Sequence, residues 1–293
     1  MSAATVRPRF SGTFRAEAVK VSRQLSFWLM IVAGFVLLGV VTLAVMTTQD
    51  LKGQLLADPT GWAYGKLDIF GTMFQIGSGI VLLIVGARLI GMEYSFGTIR
   101  IIYARGTGRL HLLLAQMTAL AVLGICLLAG FVLIVGAIMA ALISSLTGSL
   151  DAVQSISSEF WADLGRWALV EGMSMGIAIL MAAAAAGIGR GLAFAMAASL
   201  AFFPADNFLV ILEGLAARAI KQDHPWLDIS QYQLGPNLNE VFRLLEPSHR
   251  SRPAFATPLT AIDLTHAVVV IGVYALALAV IAVLRATRPD VLE

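Results

Sequence analysis

Four histidines, one cysteine and 18 acidic side chains are the groups with which this 293-residue chain could ligate a metal or move a proton. Their spacing assembles no recognisable centre. His111, His224, His249 and His266 are far apart, and none stands in the H-E-x-x-H pattern that sets two imidazoles on one helix face. His111 and His266 fall near the ends of apolar runs, where a histidine reads as an interfacial polar residue. Cys126 is the single cysteine and sits inside an apolar run, which excludes a disulfide within the chain and a thiolate zinc cluster. The glycines of Gly187-Ile-Gly-Arg-Gly191 resemble a nucleotide loop, but they follow an apolar helical pattern instead of a strand. With no G-x-x-x-x-G-K-[ST] sequence, hydrolysis of ATP through a P-loop is excluded for this chain. The expectation is no catalytic residue, no metal site and no cofactor in the chain itself.

Ionisable groups inside apolar runs are sparse. Glu171 is expected near the outer end of the fourth run, with Arg166 shortly before it, and Asp206 interrupts the fifth. Carriers driven by protons or ions keep such groups near the membrane midplane. None is expected deep in a span here, so the energy source should lie outside the chain.

One segment has an unusual pattern for a connector: EYSFGTIRIIYARGTGRLHLLLAQ, Glu93 to Gln116. Phe96, Ile99, Ile102 and Tyr103 recur at helical spacing, framed by Glu93, Arg100, Arg105 and Arg109. An amphipathic helix with an aromatic edge suits docking into a groove on another protein. A helix lying on lipid fits the same pattern.

The elements that must position this segment are membrane spans. Hydrophobic residues make up 58% of the chain and charged residues 13%, against roughly 25% charged in soluble domains. The apolar residues form runs long enough to cross a bilayer, which takes about 20 residues as a helix. Six spans are expected: Phe27–Met46, Ile69–Ala87, one within Leu112–Ile143, Trp167–Gly189, Gly191–Phe203 and Leu264–Leu284. The first is too long for a signal-peptide core and is followed by no clear cleavage site. The fifth is expected to break around Pro204 and Asp206, because proline removes a backbone donor and a carboxylate needs water or a partner. Residues beyond it, through Ile220, would turn along the outer interface. The fold class is therefore an all-α integral membrane protein with six spans, an N-terminal amphipathic helix over 10–25 and a broken fifth span. One transmembrane unit over 1–293 is expected, with a cytoplasmic loop over 93–111 and an outer loop of short helices over 213–263.

Orientation follows arginine and lysine. With both termini in the cytoplasm, the inner segments hold about 12 basic and about 4 acidic residues, and the outer ones about 8 and about 14. In the N-terminal arm Phe10, Phe14, Ala18, Val21 and Leu25 form one stripe, with Arg9, Arg15, Lys20 and Arg23 off it. That helix should rest in the cytoplasmic interface. The outer stretch carries Pro225, Pro236, Pro247, Pro253 and Pro258, and within it Leu238, Val241, Phe242 and Leu245 have helical spacing. Ala182–Ala186 offers a smooth face for close helix packing.

The Glu93–Gln116 segment resembles the signature of ABC type-2 exporter permeases: a glutamate, then Gly-Thr, then an arginine ahead of a third span. Glu93, Gly97, Thr98 and Arg109 stand at those positions. The family commonly has a proline shortly before the arginine and a lysine in the next turn, where this chain has Gly106-Thr107 and Gln116. Six spans, an amphipathic N-terminal helix and a long outer connection follow the family order over nearly the whole chain. The resemblance implies a permease in the plasma (inner) membrane, paired with a separate cytoplasmic ABC ATPase that binds ATP and magnesium. It implies a second permease alongside, and surrounding lipid. It implies that the loop with Glu93, Phe96, Gly97, Thr98, Ile99, Arg105 and Arg109 contacts the ATPase. It also implies that the second and fifth spans border the pathway, where Gln75, Ser78 and Ser199 are polar.

Competing functions are an ion-coupled carrier or channel acting alone, a membrane-embedded enzyme, and a membrane assembly factor without transport. Missing buried charge argues against the first, and missing paired histidines or facing carboxylates against the second. Apolar walls suit a lipid, a hydrophobic peptide or a drug alike.

Overall fold

The computed structural model describes residues 9–220, 225–245 and 255–288. His224, His249, Pro247 and Pro253 of the outer stretch lie outside the described residues. The first helices are α1 (Phe10–Ser22), α2 (Leu25–Met46), α3 (Leu51–Ala57), α4 (Pro59–Ser95), α5 (Thr98–Ala104) and α6 (Arg109–Thr147). After them come α7 (Asp151–Gln154), α8 (Ser158–Gly189), α9 (Leu192–Ile220), a 3-10 helix (Pro225–Tyr232), α10 (Leu234–Leu245) and α11 (Leu264–Thr287). No strand occurs among the described residues. Six helices, α2, α4, α6, α8, α9 and α11, are long and apolar enough to cross a membrane.

Local chemistry sets the starts of these helices. Asp58 caps α4 by accepting from the Gly61 amide at 2.8 Å, with Pro59 in the first turn, where its missing N–H costs nothing. Asp263 caps α11 through the His266 amide at 2.7 Å. Ser157 caps α8 through the Phe160 amide at 3.4 Å.

Two spans run well past the expected bounds. α4 has 37 residues and α6 has 39. At about 1.5 Å per residue, each is close to twice the roughly 30 Å of hydrocarbon. A helix of that length tilts within the layer or projects beyond it.

The axis of the fold is α8. In its most apolar stretch 61% of residues are buried, against 6% for the corresponding stretch of α6. Its Ala182–Ala186 run is almost fully buried, and it lets α4 approach so closely that a Cβ at Gly86 would stand 2.8 Å from the Ala182 methyl. Small residues of this kind replace hydrophobic driving force as the basis of helix association in lipid. Asp163 is fully buried in the N-terminal part of α8, taking the Tyr64 hydroxyl at 2.6 Å and pairing with Arg166 at 2.5 Å.

The fifth span is not broken. α9 continues from Leu192 to Ile220 with Pro204 inside it, and Asn207–Ile220 extends that helix instead of turning away. A proline removes one donor, and the remaining ladder carries the helix across the gap. Asp206 finds the partner it needs off the helix: its carboxylate accepts from the Gly235 amide at 2.6 Å. Asn207 donates back to the Phe203 carbonyl at 2.9 Å and accepts from Asn239 at 3.0 Å. These contacts pin α10 to the C-terminal half of α9, and Leu234, Leu238 and Val241 of α10 are buried.

Candidate functional site

The Glu93–Gln116 segment forms an elbow, not one helix. α4 ends at Ser95, and Gly97 adopts a left-handed conformation (φ 68°) before α5 begins. Phe96 therefore precedes α5 and does not continue the stripe of Ile99, Ile102 and Tyr103. A Cβ at Gly97 would meet nothing within 4 Å, so glycine is favoured there by backbone conformation and not by crowding. Nearby, a Cβ at Gly91 would stand 3.0 Å from the Leu192 Cα, and the Ser95 hydroxyl accepts from the Leu192 amide at 2.8 Å. Gly187 and Gly189 close α8, and Arg190, left-handed, and Gly191 form the turn seated here before α9.

The elbow has an inner and an outer side. Ile99 is 4% exposed and packs with Leu112, flanked by Tyr94, Ile102 and Tyr103, so it is turned away from any partner. Burial pushes the Tyr103 hydroxyl up to about 12. Phe96 is 70% exposed and Ile101 is 55% exposed, with Arg100 and Arg105 exposed beside them. Sequence periodicity chose Ile99 for the outward face; Ile101 occupies it, because the Ile99, Ile102 and Tyr103 stripe packs inward against Leu112. Arg109 faces elsewhere, donating to the Thr287 carbonyl at 3.0 Å and to that of Arg288, with its guanidinium 5.4 Å from the Tyr103 ring centre. It neutralises the carbonyl end of α11.

Glu93 holds the elbow to the first helix. The buried carboxylate accepts from Lys20 at 2.5 Å and from the Thr98 hydroxyl. Lys20 also bonds Glu17, a fully buried residue, at 2.7 Å. Burial pushes the Glu17 carboxyl above the ordinary range, opposed by the Lys20 ammonium. Burial works to lower Lys20, but the bonds to Glu17 and Glu93 outweigh it and raise the ammonium. Gln116, at the family's lysine position, donates to the Leu89 carbonyl at 3.5 Å, and the cation beside Glu93 comes from α1. At the other end of α1, Thr13 and His111 lie 3.0 Å apart and Phe10 packs edge-on against the imidazole. α1 is thus docked onto protein through Glu17 and Val21, while Phe10 and Leu25 of the expected stripe remain exposed. Sequence reasoning passed over Glu17 and counted Lys20 only as a basic residue. An acidic residue one turn before it in a basic arm was the available signal.

Of the expected pathway residues, Ser78 carries the most structure. Its hydroxyl donates to Glu171 at 2.7 Å, and it lines a groove of about 450 Å³ between α2, α4 and α6. Ser78 stands ten residues from both Asp68 and Arg88, the flanking charges on α4. Glu171 is therefore buried well inside the apolar layer, a correction to its expected place at the outer end. Sequence position on α8 alone did not reveal that its carboxylate reaches the middle of α4. Gln75 is half-buried and its carbonyl lies 3.3 Å from the same Ser78 hydroxyl. Ser199 is fully buried, with its hydroxyl bonded at 2.5 Å to the Ala195 carbonyl one turn back on its own helix. Pro204 and Asp206 belong to the α9–α10 junction described above. His266 sits 2.9 Å from the Gln231 carbonyl, a structural contact like that of His111.

A sequence model of the family described as ABC-2 family transporter protein matches residues 13–205, from within α1, across the elbow and into α9. No curated protein matches the sequence.

Proposed function

Because the chain belongs to the ABC-2 family of transporter membrane proteins, we propose that it is the permease subunit of an exporter driven by a separate cytoplasmic ATPase. The observation that carries this reading is the elbow. An exposed Phe96, with Ile101, Arg100 and Arg105, forms an apolar and basic face outside the apolar layer. That face is backed by Glu93, Lys20 and Thr98, which tie three helices together. A rigidly backed face is what a soluble partner needs in order to push on the spans, since motion at Phe96 passes directly to α4 and α1. Both termini and the elbow would then lie in the cytoplasm, where the arginines cluster. A second permease would complete the pathway, and ATP and magnesium would be bound by the partner.

The buried Glu171 gives the ion-coupled carrier a specific observation in its favour, as an ionisable group within a span is costly to keep there. Its hydroxyl partner Ser78 and the absence of a second acidic group in contact make it one isolated carboxylate among the described residues, not a relay. One experiment separates the readings. The purified permease, co-expressed with a candidate P-loop ATPase, should carry that ATPase through affinity purification, and transport in vesicles should require ATP. Transport that runs on an ion gradient without ATP contradicts the proposal.

A further inference from the structure

A second cavity, of about 170 Å³, lies between the outer halves of α4, α6 and α8 and has no part in the reading above. Its walls are almost entirely apolar and aromatic, with one exception. Lys66 lines it and is more than nine-tenths buried. Among the described residues the Lys66 ammonium meets no carboxylate and no carbonyl, and lies 5.4 Å from the centre of the Trp62 ring. Asp163, a fully buried acid on the facing helix, is already held by Tyr64 and Arg166. A cation in apolar surroundings carries a desolvation cost that one ring face offsets only in part.

The cavity is elongated. Its lining on α6 runs from Phe131 to Ile143, about 18 Å of helix at 1.5 Å per residue. α6 rises from the elbow toward the outer side while α4 descends, so Lys66 marks the outer end and Phe131 the deep end. At the deep end Phe131 stacks on Phe74, with ring centres 4.2 Å apart, and Trp167 closes against both. An apolar cavity of about 150 Å³ holds one benzene ring, so this one, at about 170 Å³, has room for roughly six carbons of one chain and not for two chains.

We propose that this cavity binds a single-chain amphipathic anion, with its carboxylate on Lys66 and its tail directed along α6 toward Phe131. The binding is a property of the permease alone, so its test is separate from the transport reading. Trp62, Trp161 and Trp167, three of the chain's five tryptophans, line the cavity and report occupancy by fluorescence. The probes are ω-bromohexanoate and the matching ω-bromohexanol, added to the full chain in phosphatidylcholine nanodiscs at about pH 8, where the acid is ionised.

The acid should quench saturably and bind roughly tenfold more tightly than the alcohol. Lys66→Gln should remove that preference while the alcohol still quenches, and Lys66→Arg should keep it. Gly136→Phe is a second check, since a Cβ there meets nothing within 4 Å and the ring would fill the cavity. It should abolish saturable quenching by both probes. Unsaturable quenching in the wild type, or an acid preference that survives Lys66→Gln, overturns the proposal. Loss of saturable quenching by the acid and by the neutral alcohol alike in nanodiscs of phosphatidylglycerol would assign the site to a two-chain bilayer lipid and overturn it equally.

Discussion

Lys20 on α1 places its ammonium 2.5 Å from the Glu93 carboxylate at the end of α4, although 73 residues separate them in the chain. This contact makes the N-terminal helix part of the elbow's foundation. Lys20→Gln leaves two buried carboxylates without their shared cation. The expected cost is roughly 1–2 kcal/mol, below the range for fully buried pairs because the Lys20 side chain is 40% exposed. A fluorophore on Gly12→Cys, in a Cys126→Ser background, should report α1 leaving α6 at neutral pH in this variant.

The same pairing predicts an alkaline transition in the wild type. The folded-state ammonium is raised above its ordinary value of 10.5, chiefly by Glu17 and Glu93 acting against burial. Its contribution is complete below that value and is lost as pH rises through the raised one. α1 should therefore stay docked up to about pH 10.5 and detach above it. Detachment well below that pH, followed with the same fluorophore, would show that the lysine does not hold the helix.

Gly97 tests the elbow's geometry apart from its chemistry. Its φ is 68° and the space around it is open. Gly97→Ala should cost roughly 1–2 kcal/mol through the left-handed backbone, and Gly97→Asn less, because asparagine visits that region. Thermal unfolding in detergent measures both. Equal tolerance of alanine and leucine, with no loss in either, would contradict the left-handed assignment.

Asp206→Ala removes the acceptor of the Gly235 amide and should cost roughly 1–3 kcal/mol. The loss should appear as earlier protease cleavage around α10 with the spans still intact. Asp206→Asn keeps an oxygen acceptor and should behave closer to wild type.

Topology gives a prediction independent of these. With Cys126→Ser as background, a cysteine replacing the exposed Asp228 should react with an impermeant maleimide added to intact cells, and one replacing Arg100 should not. The reverse pattern would invert the orientation and place the elbow outside.

The six spans were legible in the sequence because run length and charge position report directly on crossing a bilayer. The elbow was legible as a segment, since its aromatic and basic residues stand out between apolar runs. Its faces were not. The left-handed turn at Gly97 parts Phe96 from the stripe of Ile99, Ile102 and Tyr103, and periodicity cannot show that this stripe packs inward on Leu112 and leaves Ile101 outside. Pro204 and Asp206 read as a break because propensity is local, whereas the backbone ladder of α9 runs on past the proline and the Asp206 carboxylate finds the Gly235 amide far along the chain. Glu171 was misplaced for a related reason: depth was judged along α8 alone, and its partner Ser78 lies on α4.

Phe96 tests the account most directly. It is 70% exposed at the tip of the elbow, where a docked ATPase and a lipid surface would touch it differently. A photoreactive benzoyl-phenylalanine at position 96, irradiated in native membranes, should give a covalent product with a P-loop ABC ATPase, identified by mass spectrometry. The same probe replacing the buried Ile99 should give none. If position 96 captures lipid alone, while the chain inserts at normal levels and transport persists, the elbow does not couple this permease to an ATPase.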